Sequence, residues 1–337
     1  MDNKNGTLLS ENIAGVNRIL PHKHKYAWDL FLKSCANNWM PTEISMQSDI
    51  NQWKNNEITE DEKLLVKRCL GFFAGSESLV GNNLLLSAFR FITDAECRQY
   101  ILRQAFEESL HNLTVVYICD SLDLDIEEVF AAYENIPSIK SKDDFLMSIT
   151  NDISRQDFNA HSKEGKQEIL RNFLTYWIVC EGTFFFSGFA MLLALGRQNK
   201  LQGISDQIKY TLRDESSHIA FGTYLINTLI EQNPEIWTEE IQNEFVDHMK
   251  KAVDLEIAYA KDVLPTGILG LNADMFVDYM HYIGNRRLEG IGLEYRFPSD
   301  KNPFPWLGEV VDVQAMGNFF ERRVREYQQS GSLEDDF

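Results

Sequence analysis

The sequence predicts an all-α protein that forms a single domain over residues 1–337. Its strongly periodic segments are long and free of proline, which favours helices over strands. It contains no series of alternating polar and apolar residues, no internal repeat and no Gly/Ser-rich linker between two domains. One long apolar run adds a helix that must be buried on all sides.

The predicted helices are defined by their apolar periodicity and by their start signals. Thr59 followed by Glu62 is typical of a capping box, and Thr93-Asp94 precedes the next periodic segment. Prolines at 41, 137, 265 and 298–305 indicate turns, and residues 1–24 and 328–337 are expected to be weakly ordered. The helices are predicted over residues 60–92, 94–122, 124–135, 167–197, 201–232, 239–263, 273–293 and 312–328.

The composition is that of a folded protein with an acidic surface. The chain is 44% hydrophobic and 25% charged, with a formal net charge of −19. A surface of this sign repels phosphate backbones, so we expect no nucleic-acid partner. A small nucleotide could still be the substrate of a partner protein.

The cysteines and the first residues indicate a cytoplasmic protein. The five cysteines are scattered and never form a Cys-x-x-Cys pair. This spacing argues against a disulfide framework and against a cysteine-ligated zinc site. The N-terminal residues contain no apolar core of the kind found in a signal peptide.

Residues 173–195 are apolar enough to imitate a membrane span. Glu181 is the only charged residue in this run. A lone carboxylate in mid-bilayer is expensive, and no second run of this kind exists in the chain. We therefore expect a central core helix and no membrane association, and Glu181 needs a reason to be buried.

Two of the seven histidines close a Glu-x-x-His unit. These units are Glu108–His111 and Glu215–His218, each within a predicted long helix. Residues at i and i+3 share one helix face, so each unit directs a carboxylate and an imidazole to one spot. A single unit is more often a surface pair or a core histidine, whereas two units on separate helices favour a ligand cluster.

Two further glutamates complete a set that suits two metal ions. Glu77 and Glu181 lie in apolar helix segments, where an unpaired carboxylate costs several kcal/mol. Four carboxylates with two imidazoles suit iron or manganese, and carboxylates can bridge two ions. One Glu from each of two helices plus Glu-x-x-His from two others is the ferritin-like dimetal arrangement. The fold expected is therefore a ferritin-like helical bundle with additional helices and a dimetal site in its core.

Several sequence strings resemble the small (beta) subunit of class I ribonucleotide reductase, and most closely the chlamydial-type subclass Ic. That family implies a homodimer whose dinuclear metal centre reacts with O2 and keeps a one-electron oxidant. The oxidant is passed to a catalytic large (alpha) subunit that makes deoxyribonucleotides. The strings are CANNWMPTEI (35–44), ESLVGNN (77–83), RQAFEESLH (103–111), EGTFFFSGF (181–189), LRDESSH (212–218), RRLEGIGL (286–293) and KNPFPW (301–306).

The resemblance also implies roles for individual residues of the metal centre. It makes Glu77, Glu108 and His111 the ligands of one metal. A second set of three residues would hold the other metal, and some of the glutamates would bridge the two ions. That second set is Glu181, Glu215 and His218.

The same resemblance implies a path for the oxidising equivalent. Asp214 would orient a histidine ligand and link it to Trp39, and Tyr327 would carry the equivalent towards the large subunit. Tyr210 matches a tyrosine associated with electron delivery during activation. The C-terminal residues 333–337, LEDDF, resemble the tail that docks on the large subunit.

The chain departs from the family pattern at Val115, where the family usually has its radical tyrosine. Glu108, His111 and Val115 lie at about 0°, 300° and 340° around a helix, whereas Tyr117 lies near 180°. An aliphatic side chain has no accessible one-electron oxidation, so the oxidant would be stored on the metals. The resemblance to subclass Ic favours a Mn/Fe cofactor, with Fe/Fe and Mn/Mn as alternatives.

Two other functions are compatible with the same bundle. One is a small-subunit-like oxidase that binds a ligand and acts without a large subunit. The other is a ferritin-like storage or binding protein. Trp39, Asp214 and the tail with Tyr327 favour the reductase subunit, because neither alternative needs them; an inactive relative of that subunit remains a further possibility.

Overall fold

The computed structural model describes residues 7–10, 16–150, 153 and 155–308, without the side chains of 149 and 150. These residues contain no β-strand, only an isolated bridge between Ile268 and Leu271. The prediction of an all-α fold is confirmed. The helices are α1 (Lys25–Ala36), α2 (Gln47–Lys54), α3 (Glu60–Asn83), α4 (Phe89–Phe91), α5 (Ala95–Leu122), α6 (Ile126–Phe130), α7 (Ala132–Asn135), α8 (Pro137–Thr150), α9 (Lys163–Phe173), α10 (Phe185–Arg197), α11 (Gln202–Gln232), α12 (Glu239–Val263) and α13 (Met275–Gly290).

The predicted helices are found close to their expected bounds, and three more helices were not predicted. These three are α1, α2 and α8. Pro137 was expected to mark a turn but occupies the first position of α8. Proline is tolerated there because the first N–H groups of a helix have no partner within the helix. The segment 124–135 forms two short helices instead of one. The predicted helix 312–328 and the tail lie outside the described residues.

The helix starts follow the predicted capping chemistry. Thr59 accepts a hydrogen bond from the backbone N–H of Glu62, whose side chain accepts one from the N–H of Thr59, so α3 begins in a full capping box. Asp94 accepts from the backbone N–H groups of Glu96 and Cys97 at the start of α5. These caps fix the entry points of the two helices that carry Glu77 and the first Glu-x-x-His unit.

Four long rods surround the centre of the bundle. They are α3, α5, the continuous rod made of α9 and α10, and α11. Helices α1 and α2 pack outside against α5 and α11, while α8, α12 and α13 pack outside the α9–α10 rod. The central rods therefore have apolar neighbours on more than one side.

The apolar run predicted to be a core helix is buried. The helix Lys163–Arg197 is long and apolar enough to cross a membrane, but 94% of its most apolar window is buried inside the protein. It is a core helix, and Glu181 within it is fully shielded from solvent.

The rod widens into a π-helix at Leu174–Phe184, around Glu181. The hydroxyl of Thr183 donates to the carbonyl of Ile178, five residues back, at 2.9 Å. Arg287 Nε donates to the carbonyl of Gly182 at 2.6 Å, an approach that a side chain at this glycine would obstruct. Wide turns of this kind shift the direction of the side chains that follow, and they are frequent at functional sites.

Candidate metal centre

Four different rods deliver six buried ligand side chains to one place. Glu77 comes from α3, and Glu181 from the π-helical part of the α9–α10 rod. The two Glu-x-x-His units come from α5 and α11, and each has its carboxylate and imidazole on the inward face. All six side chains are at most 2% exposed: Glu77, Glu108, His111, Glu181, Glu215 and His218.

The first group of ligand atoms surrounds His111. Its Nδ1 lies 3.1 Å from Glu215 Oε1, 3.4 Å from Glu77 Oε2 and 3.4 Å from Glu108 Oε2. Ligand atoms of these four residues all lie within 4.8 Å of one another. That spacing is small enough for one metal ion to contact them together.

The second group surrounds His218 and shares Glu108 with the first. His218 Nδ1 lies 3.3 Å from Glu108 Oε1, 3.4 Å from Glu215 Oε2 and 3.7 Å from Glu181 Oε2. Glu108 and Glu215 therefore each point one oxygen at either histidine. Sequence reasoning placed Glu215 with the second metal and expected some glutamates to bridge; in the structure the two oxygens of Glu215 lie near His111 and His218.

The donor set fits two cations because many of its ligand atoms have no hydrogen-bond partner. Within the described part of the chain, no hydrogen bond satisfies Glu108 Oε2, Glu181 Oε2, either oxygen of Glu215, or His218 Nδ1. Buried polar atoms are normally paired, so unpaired ones clustered at one point indicate a missing ligand. Oxygen-rich donors with two imidazoles match iron or manganese.

The cluster carries an excess of negative charge that bound cations would balance. Burial raises the pKa of Glu77 and of Glu181, and neighbouring carboxylates raise it further. Burial lowers the pKa of His111 and of His218, but the surrounding carboxylates outweigh it and both pKa values lie well above the ordinary range. The cluster thus binds protons tightly, as a site with excess negative charge does when metal cations can replace those protons.

Each histidine has a second carboxylate on the far side of its ring. His111 Nε2 lies 3.6 Å from Oδ2 of Asp214, the residue that the family resemblance places beside a histidine ligand, and this distance is too long for a hydrogen bond. His218 Nε2 lies 2.9 Å from Glu107, which sequence reasoning missed. Carboxylates in this position fix the imidazole tautomer and orientation.

The missed carboxylate carried a signal in the sequence. An acidic residue precedes the glutamate of both units, in the pairs Glu107-Glu108 and Asp214-Glu215. In the structure the acid on each helix serves the histidine of the other helix. One hydrogen bond, from His218 to Glu107, and one close approach, of His111 to Asp214, therefore connect α5 with α11.

Trp39 and Tyr210 lie on the outer side of Asp214. Trp39 Nε1 donates to Asp214 Oδ2 at 2.7 Å, and its ring stacks on Tyr210 at 5.2 Å between centroids. Arg213 donates to the other oxygen of Asp214 at 2.9 Å and lies over the ring of Tyr210. Burial raises the pKa of Asp214, but His111 and Arg213 outweigh it and hold that pKa below its usual value.

A second tryptophan is linked to the cluster by hydrogen bonds and was not predicted. Trp177 Nε1 donates to Gln104 Oε1 at 3.2 Å. Gln104 Nε2 in turn donates to Glu181 Oε1 at 2.9 Å and to Glu108 Oε1 at 3.3 Å. Gln104 precedes Glu108 by one helical turn, a spacing that could have identified it.

The remaining predicted residues are placed as follows. Val115 is buried, 3% exposed, within the hydrophobic core. Tyr117 points away from the centre, because its hydroxyl donates to the carbonyl of Ile44 at 3.0 Å. Tyr327 and residues 333–337 lie outside the described residues.

Comparison with known proteins yields one family. A family model described as "Ribonucleotide reductase, small chain" matches residues 16–303. The chain is 52% identical over 326 residues to the ribonucleoside-diphosphate reductase subunit beta of Chlamydia pneumoniae, covering 97% of this chain and 94% of that protein. It is 30% identical over 318 residues to the small chain of Plasmodium falciparum, covering 94% and 84%.

Solved structures agree with the sequence matches. The ribonucleotide reductase R2 subunit from Clostridium botulinum has a TM-score of 0.82 at 28% identity, covering 91% of this chain and 94% of that one. The dimanganese(II)-NrdF of Streptococcus sanguinis has a TM-score of 0.71 at 21% identity, covering 88% and 99%. The latter likeness concerns the fold alone.

Proposed function

The chain belongs to the family of class I ribonucleotide reductase small subunits, and from that premise we propose that it keeps a one-electron oxidant on a dinuclear metal centre without a tyrosyl radical. It is the small subunit of a ribonucleoside-diphosphate reductase, an oxidoreductase. When bound, the two ions would supply O2 reduction and the one-electron oxidising power. The observation that carries the proposal is the six-ligand cluster with its unpaired atoms, next to a helix face on which Val115 stands in place of a phenol.

The ligand roles follow from the distances. Glu77 and His111 would hold one ion and Glu181 and His218 the other, with the two remaining glutamates, Glu108 and Glu215, between them. Glu107 would accept the Nε2 proton of His218 and so leave Nδ1 of that ring free for an ion, and Asp214, 3.6 Å from His111 Nε2, would orient the other ring.

We assign the metals as manganese and iron, with Fe/Fe and Mn/Mn as the alternatives to be tested. Carboxylates and imidazoles accept both metals, and the order of intrinsic affinities does not by itself choose between them. The absence of a phenol at Val115 supports a centre that stores the oxidant on the ions, because valine cannot be oxidised by one electron.

Transfer of the equivalent would leave the centre through Trp39. The hydrogen bond from Trp39 to Asp214 supports this route, because a carboxylate can accept the indole proton when the ring loses an electron. Tyr327 would continue the route to the large subunit, with residues 333–337 as the docking tail, and the stacked Tyr210 would deliver electrons during activation. A ligand-binding oxidase without a partner would have no use for this path.

The proposed homodimer has a candidate surface on α5 and on the π-helical segment Leu84–Ala88, which directly follows α3. Leu102, Phe106 and Leu113 recur on one face of α5 and are 44%, 46% and 38% exposed. Leu85 and Leu86, 50% and 56% exposed, belong to the Leu84–Ala88 segment that packs on α5. Exposed apolar side chains on two packed elements favour burial against a second copy. We place the dimer in the cytoplasm, with no nucleic acid bound.

The decisive experiment is deoxyribonucleotide formation with the cognate large subunit. Protein loaded with iron alone, manganese alone or both is exposed to O2 and assayed, with electron paramagnetic resonance (EPR) on the same samples. We expect the highest turnover with both metals and no tyrosyl radical. A stable tyrosyl signal that matches the active fraction would contradict the proposal.

The role of Tyr327 is tested in the same assay. Tyr327→Phe should abolish turnover while the metal content stays unchanged, because phenylalanine cannot carry the equivalent. Tyr295→Phe, a half-buried tyrosine outside the proposed route, is the matched control. Normal turnover of Tyr327→Phe would remove this residue from the path.

A further inference from the structure

Trp177 is a buried tryptophan that a single intervening side chain, Gln104, connects to the proposed metal ligands. It is 1% exposed, and its ring packs directly on Gly222, where any side chain would collide with it. The rings of Phe173 and Phe221 lie edge-on at 5.0 Å and 5.8 Å between centroids. The polar contact of the indole N–H is the 3.2 Å hydrogen bond to Gln104 Oε1.

The partners of Gln104 fix the orientation of its amide. The amide nitrogen only donates hydrogen bonds, and it faces carboxylate oxygens of Glu181 and Glu108 at 2.9 Å and 3.3 Å. The indole N–H only donates, so the amide oxygen faces Trp177. Gln104 thereby uses both ends of its side chain in a pocket where it is fully buried.

Trp39 and Trp177 are each connected to the cluster through one side chain that accepts the indole hydrogen bond, but the accepting groups differ. Trp39 donates to a carboxylate, Asp214, which lies against His111. Trp177 donates to an amide, Gln104, which lies against Glu108 and Glu181. A carboxylate can take up the indole proton, whereas an amide oxygen is far too weak a base to do so.

This difference decides which indole can be oxidised at low cost. When one electron leaves Trp39 for the oxidised centre, its N–H bond breaks, an O–H bond forms on Asp214, and a neutral indole radical remains. When one electron leaves Trp177, its proton has no acceptor, and a cationic radical remains among phenylalanine rings. Burying such a charge without a partner is unfavourable.

We propose that Gln104 is a positioning residue that directs electron exit to Trp39: its amide orients Glu108 and Glu181 and denies Trp177 a proton acceptor. The inference rests on the proposed function, because it requires an oxidised centre. It assigns to Gln104 a role that neither the ligand set nor the route through Trp39 includes.

The test replaces the amide with groups that accept a proton. Gln104→Glu provides a carboxylate, and Gln104→His provides a neutral acceptor that adds no negative charge. Each variant is loaded with metal, exposed to O2 without large subunit, and followed by freeze-quench EPR. A positioned base accelerates proton-coupled steps by about 100-fold or more, so we expect the oxidised centre to decay about 100-fold faster, with a tryptophan radical appearing.

A second substitution shows whether Trp177 is the source of that radical. In Gln104→Glu/Trp177→Phe the fast decay and the radical should both disappear, since phenylalanine has neither the N–H nor a comparably oxidisable ring. Gln104→Met, which fills the space but accepts no proton, should lower the metal content without producing a radical. Metal content is measured in every sample.

The outcomes separate the inference from the function on which it rests. If wild-type protein forms no oxidised state with O2, the proposed function fails. If wild type forms it, and the acceptor variants decay at its rate or decay equally fast with Trp177→Phe, the inference is overturned. A measurement on metal-free protein covers variants that take up no metal. After laser photo-oxidation, Trp177 should give a neutral radical in Gln104→Glu and a cationic radical in wild type. Identical radicals in the two proteins would overturn the proposal.

Discussion

The metal-centre cluster and a second buried cluster around Lys142 lie on different faces of α3. Gly75 faces Asp143 of the second cluster, while Glu77, two residues further, faces the metal centre. In the second cluster Lys142 Nζ lies 2.7 Å from Glu256 Oε2, and both side chains are fully buried. The same ammonium group lies 3.3 Å, 4.1 Å and 4.9 Å from the ring centres of Phe72, Tyr259 and Phe184.

The two clusters accommodate buried charge in different ways. In the second cluster the Lys142 ammonium group is paired with the Glu256 carboxylate, aromatic faces complete the shell of the cation, and the raised pKa of Asp143 favours its neutral form. At the metal centre four carboxylates face two imidazoles, and several ligand atoms remain unpaired. A buried charge that already has a partner indicates structure, whereas clustered charges without partners indicate a ligand that the chain is built to bind.

Metal loading should separate the clusters most strongly. Ions that bind only the folded state stabilise it by about 4 kcal/mol per site at a thousandfold excess over Kd, so about 8 kcal/mol for two sites. Urea unfolding of metal-loaded and chelator-treated protein measures this difference. Equal stability of the two forms would contradict the assignment of the unpaired atoms to cations.

Breaking the Lys142–Glu256 pair should have the next largest effect on stability. Lys142→Met leaves Glu256 as an uncompensated buried carboxylate, and we expect a loss of about 3–5 kcal/mol in the free energy of unfolding. The double variant Lys142→Met/Glu256→Met removes both charges and should recover most of this loss. A single variant as stable as wild type would show that the pair contributes nothing.

Asp143, beside this pair, makes the comparison depend on pH. Neither of its oxygens finds a hydrogen-bond partner among the described residues, and burial raises the pKa of its carboxyl to about 7 from 3.8. A carboxyl with a raised pKa binds its proton more tightly when folded, so stability is present at low pH and is lost as pH rises towards 7. The loss between pH 5 and 8 is about 2–3 kcal/mol.

Asp143→Asn should remove that part of the pH dependence. Unfolding of metal-loaded protein at pH 5, 6, 7 and 8 measures it, as the difference between wild type and variant. Asp144→Asn is the matched control, because this neighbour is 52% exposed and pairs with Lys140 at the surface. A slope unchanged in Asp143→Asn would place the titration on another group.

The smallest expected effect concerns the carboxylate behind His218. Glu107→Gln keeps the shape but removes the charge that fixes the imidazole, so we expect metal affinity to fall about 10- to 100-fold. Competition with a chelator measures the affinity. Asp120→Asn, an exposed position on the same helix, serves as control, and equal affinities of the two variants would exclude a role for Glu107.

The candidate ligand residues could be predicted from the sequence because helical periodicity depends only on neighbouring residues. The spacing within Glu108–His111 and Glu215–His218 fixes a shared face before any tertiary contact forms. Glu181 was identifiable because a single charge in a long apolar run must be buried with a partner. Val115 was singled out by the family resemblance, and its angle relative to His111 supports that alignment.

Other features were invisible because their partners lie far apart in the chain. Glu107 and His218 are 111 positions apart, and Trp177 and Gln104 are 73 apart. The run Lys140-Ser141-Lys142-Asp143-Asp144 looks like a solvated turn after Pro137, so neither α8 nor the burial of Lys142 was predicted.

The sequence by itself determined the all-helical class, the number of rods that carry ligands, and the face on which each ligand lies, because these depend on residues within a few turns of one helix. Only the tertiary structure decided that Glu215 reaches both histidines, that the acid of each unit serves the other helix, and that one tryptophan meets a carboxylate and the other an amide. Those relations depend on how the rods pack, since a small shift or rotation between helices exchanges the atoms that meet.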